Sequence, residues 1–290
     1  MKKTDFKVLE FEGIDSNIFK HLLDSYLQEG TNGHWLSVKF ENEDFEFIIG
    51  FDGRMPSYMS VVDAARLGLN GFWGVFPDQC KGWNVIYYSK KSLYIEYLRG
   101  LSEDFIIFDK ENLVHYSLHL DDQTIDLVTE WPPILKIINK RKLSLEVGKN
   151  NELNPFKFEG FDSRFFGEVS CTYVEQDQEK SFKVHFVNEK YKFIIEFPGK
   201  PIAPRIIDNE FVSFVRRSPL KIDEALTEQY LIFYTKDSDY LHENRFGFKT
   251  VLSEKEYEDL THYALYFENK VIDVLSYAQP NFSIGLRGPL

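Results

Sequence analysis

The sequence predicts an α+β fold made of two tandem homologous domains, each an antiparallel sheet with one or two helices packed on it. Three observations carry that reading. First, LVHYSLHLDDQTIDLV at residues 113–128 returns as LTHYALYFENKVIDVL at residues 260–275, 147 positions later. Second, three further blocks recur in the same order. Phe11-Glu12-Gly13-Ile14-Asp15-Ser16 matches Phe158-Glu159-Gly160-Phe161-Asp162-Ser163 at an offset of 147. Phe40-Glu41-Asn42-Glu43, with Phe45, Phe47 and Phe51 beyond it, matches Phe186-Val187-Asn188-Glu189 with Tyr191, Phe193 and Phe197, and Ile86-Tyr87-Tyr88-Ser89-Lys90 matches Ile232-Phe233-Tyr234-Thr235-Lys236, both at 146. A period this long marks a duplicated domain rather than a solenoid of roughly 20–50-residue units. Third, aromatic residues make up 16% of the chain, with 27 Phe and 16 Tyr, and they recur at every second position in these blocks. That is the pattern of half-buried strands. The boundaries that follow are a first domain at 1–138, a linker at 139–154 and a second domain at 155–290.

Each element takes support from both copies. Ile18, Phe19, Leu22, Leu23, Tyr26 and Leu27 have helical spacing, but the matching Val169-Ser170-Cys171-Thr172-Tyr173 alternates, so both stretches read as strands. Asn32-Gly33 then makes a hairpin turn before His34–Phe40, and Asp177–Lys180 does the same before Phe182, Val184 and Phe186. Phe45, Phe47, Ile49 and Phe51, and likewise Tyr191, Phe193, Ile195 and Phe197, alternate as third strands. Gly53 and Pro198-Gly199 end them. Ser60-Val61-Val62-Asp63 resembles a capping box opening a helix to about Leu69, with a counterpart helix from Asp208 to Arg217. Strands follow at 84–89 and 230–235, then a helix from Ser92 to Leu101. Hairpins at 114–129 and 261–277 close each domain, and Trp131-Pro132-Pro133 ends the first.

The formal net charge is −12. Residues 1–147 hold 16 Lys+Arg against 23 Asp+Glu, and the remainder 18 against 23, so both halves are acidic. Acidic surfaces repel phosphate backbones, which excludes nucleic acid as the expected partner, and Lys140-Arg141-Lys142 reads as a solvated linker run. The two cysteines, Cys80 and Cys171, do not occupy matching positions and form no CxxC, so neither a disulfide framework nor a zinc site is expected. The N-terminal MKKTDFKVLEFEG lacks an apolar core, and no apolar run of about 18 residues exists, so the expected compartment is the cytoplasm, with no membrane partner.

Catalytic motifs are sparse. GxSxG, GxxxxGK[ST], GxGxxG and HExxH are absent, and no metal or cofactor is expected. His115 and His262 occupy equivalent positions, as do Asp126 and Asp273 across the same hairpins. A His–Asp pair can serve a general base, yet such a histidine more often packs or bonds locally. Between apolar neighbours on a strand, the two aspartates are expected to face solvent. Segments unique to one half are the better interface candidates. Phe72, Trp73, Phe76 and Trp83 lie on a glycine-rich loop without a copy, and Glu254, Glu256, Glu258 and Asp259 form an acidic cluster near the second hairpin. Aromatic anchors with acidic neighbours suit a basic protein partner.

The repeated hairpin, HYALYFENKVIDVL in its second copy, resembles the C-terminal hairpin of small α+β immunity proteins from bacterial toxin–immunity systems. The resemblance covers about 15 residues in each copy. It implies a cytoplasmic inhibitor that occludes the active site of a basic toxin domain. The alternative is an enzyme with a site between the halves, using His115, His262 and Asp126 or Asp273.

Overall fold

The computed structural model describes residues 6–19, 24–29, 36–51, 57–62, 86–101, 112–119, 123–141, 153–159, 161–162, 166, 169–177, 181–199, 203–208, 230–248, 253–267 and 270–287. Among them, antiparallel strands dominate and helices are few. No helix is long and apolar enough to cross a membrane among the described residues. The chain divides into two compact units, Met1–Lys140 with Ile284–Leu290, and Arg141–Ser283.

In the first unit, β2 (Asp24–Glu29), β3 (Leu36–Glu41) and β4 (Phe45–Phe51) form the expected meander, except that Ile18 and Phe19, expected in its first strand, lie in a short 3-10 turn at Ser16–Phe19. On β3 Leu36, Val38 and Phe40 are fully buried and Lys39 and Glu41 half-buried, but Ser37 is buried too, and on β4, expected to be half-buried, every residue except Glu46 is buried. Phe40 lies opposite Phe47, and their rings stack at 5.1 Å. A second sheet has the order β1-β6-β7-β8-β5, from β1 (Lys7–Val8), β5 (Ser57–Val62), β6 (Ile86–Ser89), β7 (Val114–His119) and β8 (Gln123–Thr129). One face of this sheet meets the meander, with Tyr116 against Phe51 at 5.5 Å. The other carries α1 (Leu93–Leu101), whose Tyr94, Ile95 and Leu98 pack with Leu113 and Val128.

The second unit has the same kinds of layer. β11 (Ser170–Asp177), β12 (Ser181–Val187) and β13 (Tyr191–Pro198) form its meander, with Phe186 opposite Phe193 at 5.0 Å. Its five-stranded sheet has the order β10-β15-β16-β17-β14, from β10 (Asn154–Pro155), β14 (Ala203–Asp208), β15 (Ile232–Thr235), β16 (Thr261–Tyr266) and β17 (Lys270–Ser276). Tyr263 on one face meets Phe197 at 5.3 Å. On the other, α2 (Asp239–Phe248) places Tyr240 and Leu241 against Leu260 and Leu275. α3 (Glu254–Asp259) follows at the margin.

Polar residues in the recurring blocks make the turns. Asn42 Oδ1 accepts from the Phe45 and Asp44 amides at 2.8 and 3.0 Å, and Asn188 Oδ1 accepts from those of Tyr191 and Lys190 at 2.8 and 3.0 Å. Such side-chain acceptors fix hairpin entry. Ser92 Oγ and Ser238 Oγ cap α1 and α2, accepting from Ile95 N and Leu241 N at 3.0 and 3.1 Å. Phe11-Glu12-Gly13-Ile14 is a turn closed by Ile14 N to Phe11 O at 3.1 Å, with Gly13 at φ 83°, a conformation that favours glycine.

Three expectations are corrected. Ser60–Val62 does not open a helix: it belongs to β5, paired with β8. The S-x-x-D pattern fits a cap, but Ser-Tyr-Met-Ser-Val-Val is rich in β-formers, and a neighbouring strand supplies the ladder. Asp208 likewise ends strand β14 rather than starting a helix. Nor do the hairpins close their domains. After Trp131-Pro132-Pro133 the chain enters β9 (Ile134–Asn139), which pairs with β4, and β18 (Asn281–Leu286) lies beside β13. The turn expected at Asn32-Gly33, the stop at Gly53 and residues 63–71 and 209–217 of the two expected helices lie outside the described residues.

Candidate functional site

Two buried His–Asp pairs are the main polar feature of the described core. On the β7–β8 ladder, His115 lies opposite Val128 and Ser117 opposite Asp126, so His115 and Asp126 are diagonal neighbours on one face. Their Nε2 and Oδ1 atoms are 2.9 Å apart. On β16–β17, His262 lies opposite Leu275 and Ala264 opposite Asp273, with Nε2 to Oδ1 at 3.1 Å. Both histidines are 0% exposed, Asp126 is 5% and Asp273 1%. The aspartates therefore do not face solvent as expected. Alternation correctly turns them away from Ile125, Leu127, Ile272 and Val274, but both faces of each sheet are covered. A helix lies on the aspartate side.

The second unit completes its pair. Ser238 Oγ, already capping α2, lies 2.9 Å from His262 Nδ1. Arg205 on β14 stands opposite Asp273 in register and donates from Nε and Nη2 to its Oδ2 at 3.0 and 2.7 Å. The guanidinium also lies 4.0 Å from the centre of the Tyr240 ring. Both ring nitrogens of His262 thus have a partner, Nδ1 in the Ser238 hydroxyl and Nε2 in the Asp273 carboxylate. Burial pushes the Asp273 carboxyl upward, but the His262 hydrogen bond and the Arg205 guanidinium outweigh it and hold it below the usual carboxylate range. Although Ser, His and Asp are all present, Ser238 is 0% exposed and committed to the cap. The chemistry this supports is a tie between helix and sheet.

Among the described residues the first unit shows no such completion: the backbone-register partner of Asp126 on β5 is Met59. His115 Nδ1 is buried and has no hydrogen-bond partner among the described residues. Phe6 and Tyr94 instead meet the His115 ring edge-on at 5.0 and 5.2 Å.

A third histidine, His119, shares this face of β7. Its Nε2 lies 3.1 Å from Ser117 Oγ, and its ring meets Tyr87 at 4.9 Å. Burial lowers its pKa to about 4, against the opposing pull of Asp126. The folded state therefore resists a proton that the unfolded chain takes up near 6.5. Stability is unaffected well above that pH and falls between 6.5 and about 4. The expected loss is at most about 3 kcal/mol. Urea titrations at pH 7 and pH 4.5 measure it, and His119→Gln should flatten this interval.

Of the residues expected to bind a partner, Phe72, Trp73, Phe76 and Trp83 lie outside the described residues. Glu254, Glu256, Glu258 and Asp259 are all on α3. Glu256 is not a free carboxylate. Its Oε2 accepts from Ser253 Oγ and from Ser253 N at 2.7 and 2.8 Å, closing a capping box and holding its pKa below the ordinary range. Glu258 and Asp259 are exposed. Tyr277 is 39% exposed, and its hydroxyl is pushed up by partial burial and by Glu256 and Asp259. Trp131 is 51% exposed just after β8. Neither exposed aromatic stood out in the sequence, because each follows a repeated hairpin and reads as its end. The available signal was a large aromatic just past a Thr or Ser that makes a tight turn: Trp131 N bonds Thr129 Oγ1, and Ala278 N bonds Ser276 Oγ, both at 3.1 Å. No family model matches the chain, and no curated protein or solved structure shows significant similarity to it.

Proposed function

We propose that this chain is a non-enzymatic, protein-binding inhibitor of the immunity type. In this reading it consists of two tandem homologous α+β domains and neutralises a cognate bacterial toxin domain by covering a basic cleft. The observation that carries the reading is the surface of α3. Glu258 and Asp259 are exposed on α3, and Asp259 and Glu256 act on the hydroxyl of the exposed Tyr277, on a chain of net charge −12. An aromatic anchor within a carboxylate field offers both area and steering to a cationic partner. The tandem arrangement draws support from the strand orders β1-β6-β7-β8-β5 and β10-β15-β16-β17-β14 and from the matched His–Asp diagonals. Two histidines sealed from solvent, each bonded to the aspartate of its own hairpin, weigh against the enzymatic alternative. The compartment proposed is the cytoplasm, where a free buried thiol such as Cys171 stays reduced.

The test is co-expression with the toxins encoded by neighbouring genes, scored by growth rescue. Glu258→Lys with Asp259→Lys is expected to weaken binding to the rescued toxin by about 10–100-fold at low ionic strength, with the difference shrinking in high salt. Both residues sit in the last turn of α3, where added cations suit the helix dipole, so stability should move by less than about 0.5 kcal/mol. Failure of every neighbouring toxin to be neutralised removes the inhibitor reading.

A further inference from the structure

Sheet edges invite strand addition, and proteins blunt them with shortness, Pro, Lys or bulges. Among the end strands whose side chains are described, β1 and β10 are two residues long, and β14 carries Pro204 and Arg205. β11 is eight residues long, holds no Pro or Lys, and stands at the end of its sheet beside β12. Among the described residues its protections are a bulge between Cys171 and Tyr173 and the single exposed charge of Glu175. Beyond the bulge the register runs unbroken from Tyr173 opposite His185 to Asp177 opposite Ser181. Thr172, Tyr173, Glu175 and Gln176 are all exposed, Tyr173 at 54%.

The edge is also ordered in advance. Tyr173 lies flat on His185, with ring centres 4.0 Å apart and planes 14° apart. His185 Nε2 meets Glu175 Oε2 at 3.2 Å, and Lys183 reaches the same carboxylate at 3.9 Å. Lys183 and Lys192 sit inboard on β12 and β13. The edge strand itself, Ser-Cys-Thr-Tyr-Val-Glu-Gln-Asp, carries Glu175 and Asp177 and no cation.

We propose that the Tyr173–Asp177 edge receives an extended, Lys- or Arg-bearing segment of a partner protein as an added antiparallel strand. Main-chain hydrogen bonds supply the pairing, and alternate side chains supply the choice of partner. Cations at every second position of the guest fall on the Tyr173 and Glu175 side, where a ring face and a carboxylate await them. A second copy of the chain is the poorer occupant, because it brings another acidic strand and another net charge of −12 to the same edge. The class of partner rests on the protein-binding reading above, whereas the location does not depend on α3.

The experiment uses the full-length, isotope-labelled chain and three six-residue peptides. These are alternating Lys/Val, alternating Glu/Val, and a fully N-methylated Lys/Val peptide of equal charge that cannot donate to a ladder. Saturating Lys/Val peptide should slow amide hydrogen exchange within Tyr173–Asp177 by about 10-fold or more, while the other two leave it unchanged. In the variant Glu175→Lys with Asp177→Lys the preference should pass to the Glu/Val peptide. If that variant does not fold, the three-peptide comparison on the parent chain still decides. Unchanged exchange with Lys/Val overturns the proposal, as does equal slowing by the N-methylated peptide. A concentration-dependent dimer protecting the same amides assigns the edge to a second copy and overturns it too. Full rescue by the α3 variant with intact β11 protection would count against the α3 surface alone.

Discussion

Asp273→Ala should destabilise the second unit by about 3–5 kcal/mol, among the largest effects of any single polar substitution in the described core. The carboxylate accepts from Nε and Nη2 of Arg205 and from Nε2 of His262. Removing it leaves the His262 proton in a site with 0% exposure, and that orphaned donor alone costs about 1–3 kcal/mol. Arg205 is less constrained, because its side chain is 38% exposed and can turn to water. Its loss is the charge-assisted pair and the alignment over Tyr240. Asp126→Ala in the first unit should cost less, about 1–3 kcal/mol, because among the described residues its carboxylate gives up one histidine bond and no arginine contact. Denaturant unfolding of the two variants measures the contrast, and equal losses would show that Arg205 contributes nothing. The acid limb follows from the same residue. The Asp273 pKa in the folded state lies below its ordinary value of 3.8, so its stabilisation is present above that pH and drains away as pH falls beneath it.

Much of the sheet structure was legible because two signals agreed. Phe45, Phe47, Ile49 and Phe51 alternate on their own, and Tyr191, Phe193, Ile195 and Phe197 repeat the pattern, so chance in one stretch is checked by the other. Asn42 and Asn188 were visible as matching letters, and their role is the hairpin turn that each closes. The burial of Asp126 and Asp273 was not legible. Period two tells which face a residue takes but not whether a helix covers that face. β5 was hidden by a local pattern, since Ser60-Val61-Val62-Asp63 satisfies a helix cap and only pairing with β8 makes it a strand. The interface reading divides the same way. The acidic letters of α3 were visible, but the use of Glu256 as a capping residue and the approach of Tyr277 depend on contacts that sequence spacing does not encode.

Phe282→Ala should cost about 3–5 kcal/mol, the range for truncating a buried aromatic to a methyl. Phe282 lies on β18, a strand that the reading of the hairpin as the domain's end left out. Its ring is 1% exposed and sits 4.6 Å from Phe161, 5.2 Å from Phe158, 5.5 Å from Phe166 and 6.0 Å from Phe193. Phe158 and Phe161 belong to the Phe-Glu-Gly turn, so the residue joins the start of the second unit to its last strand. Close packing leaves these neighbours little room to collapse into the space vacated. Phe282→Leu refills most of the volume and should recover more than half of the loss. A melting shift for Phe282→Ala comparable to that of an exposed aromatic such as Tyr173→Ala would place residue 282 outside the core and return β18 to the status of a tail. If the larger shift appears, the domain needs residues beyond Ser276 to hold its aromatic interior together, and shortened chains ending at the hairpin should not fold.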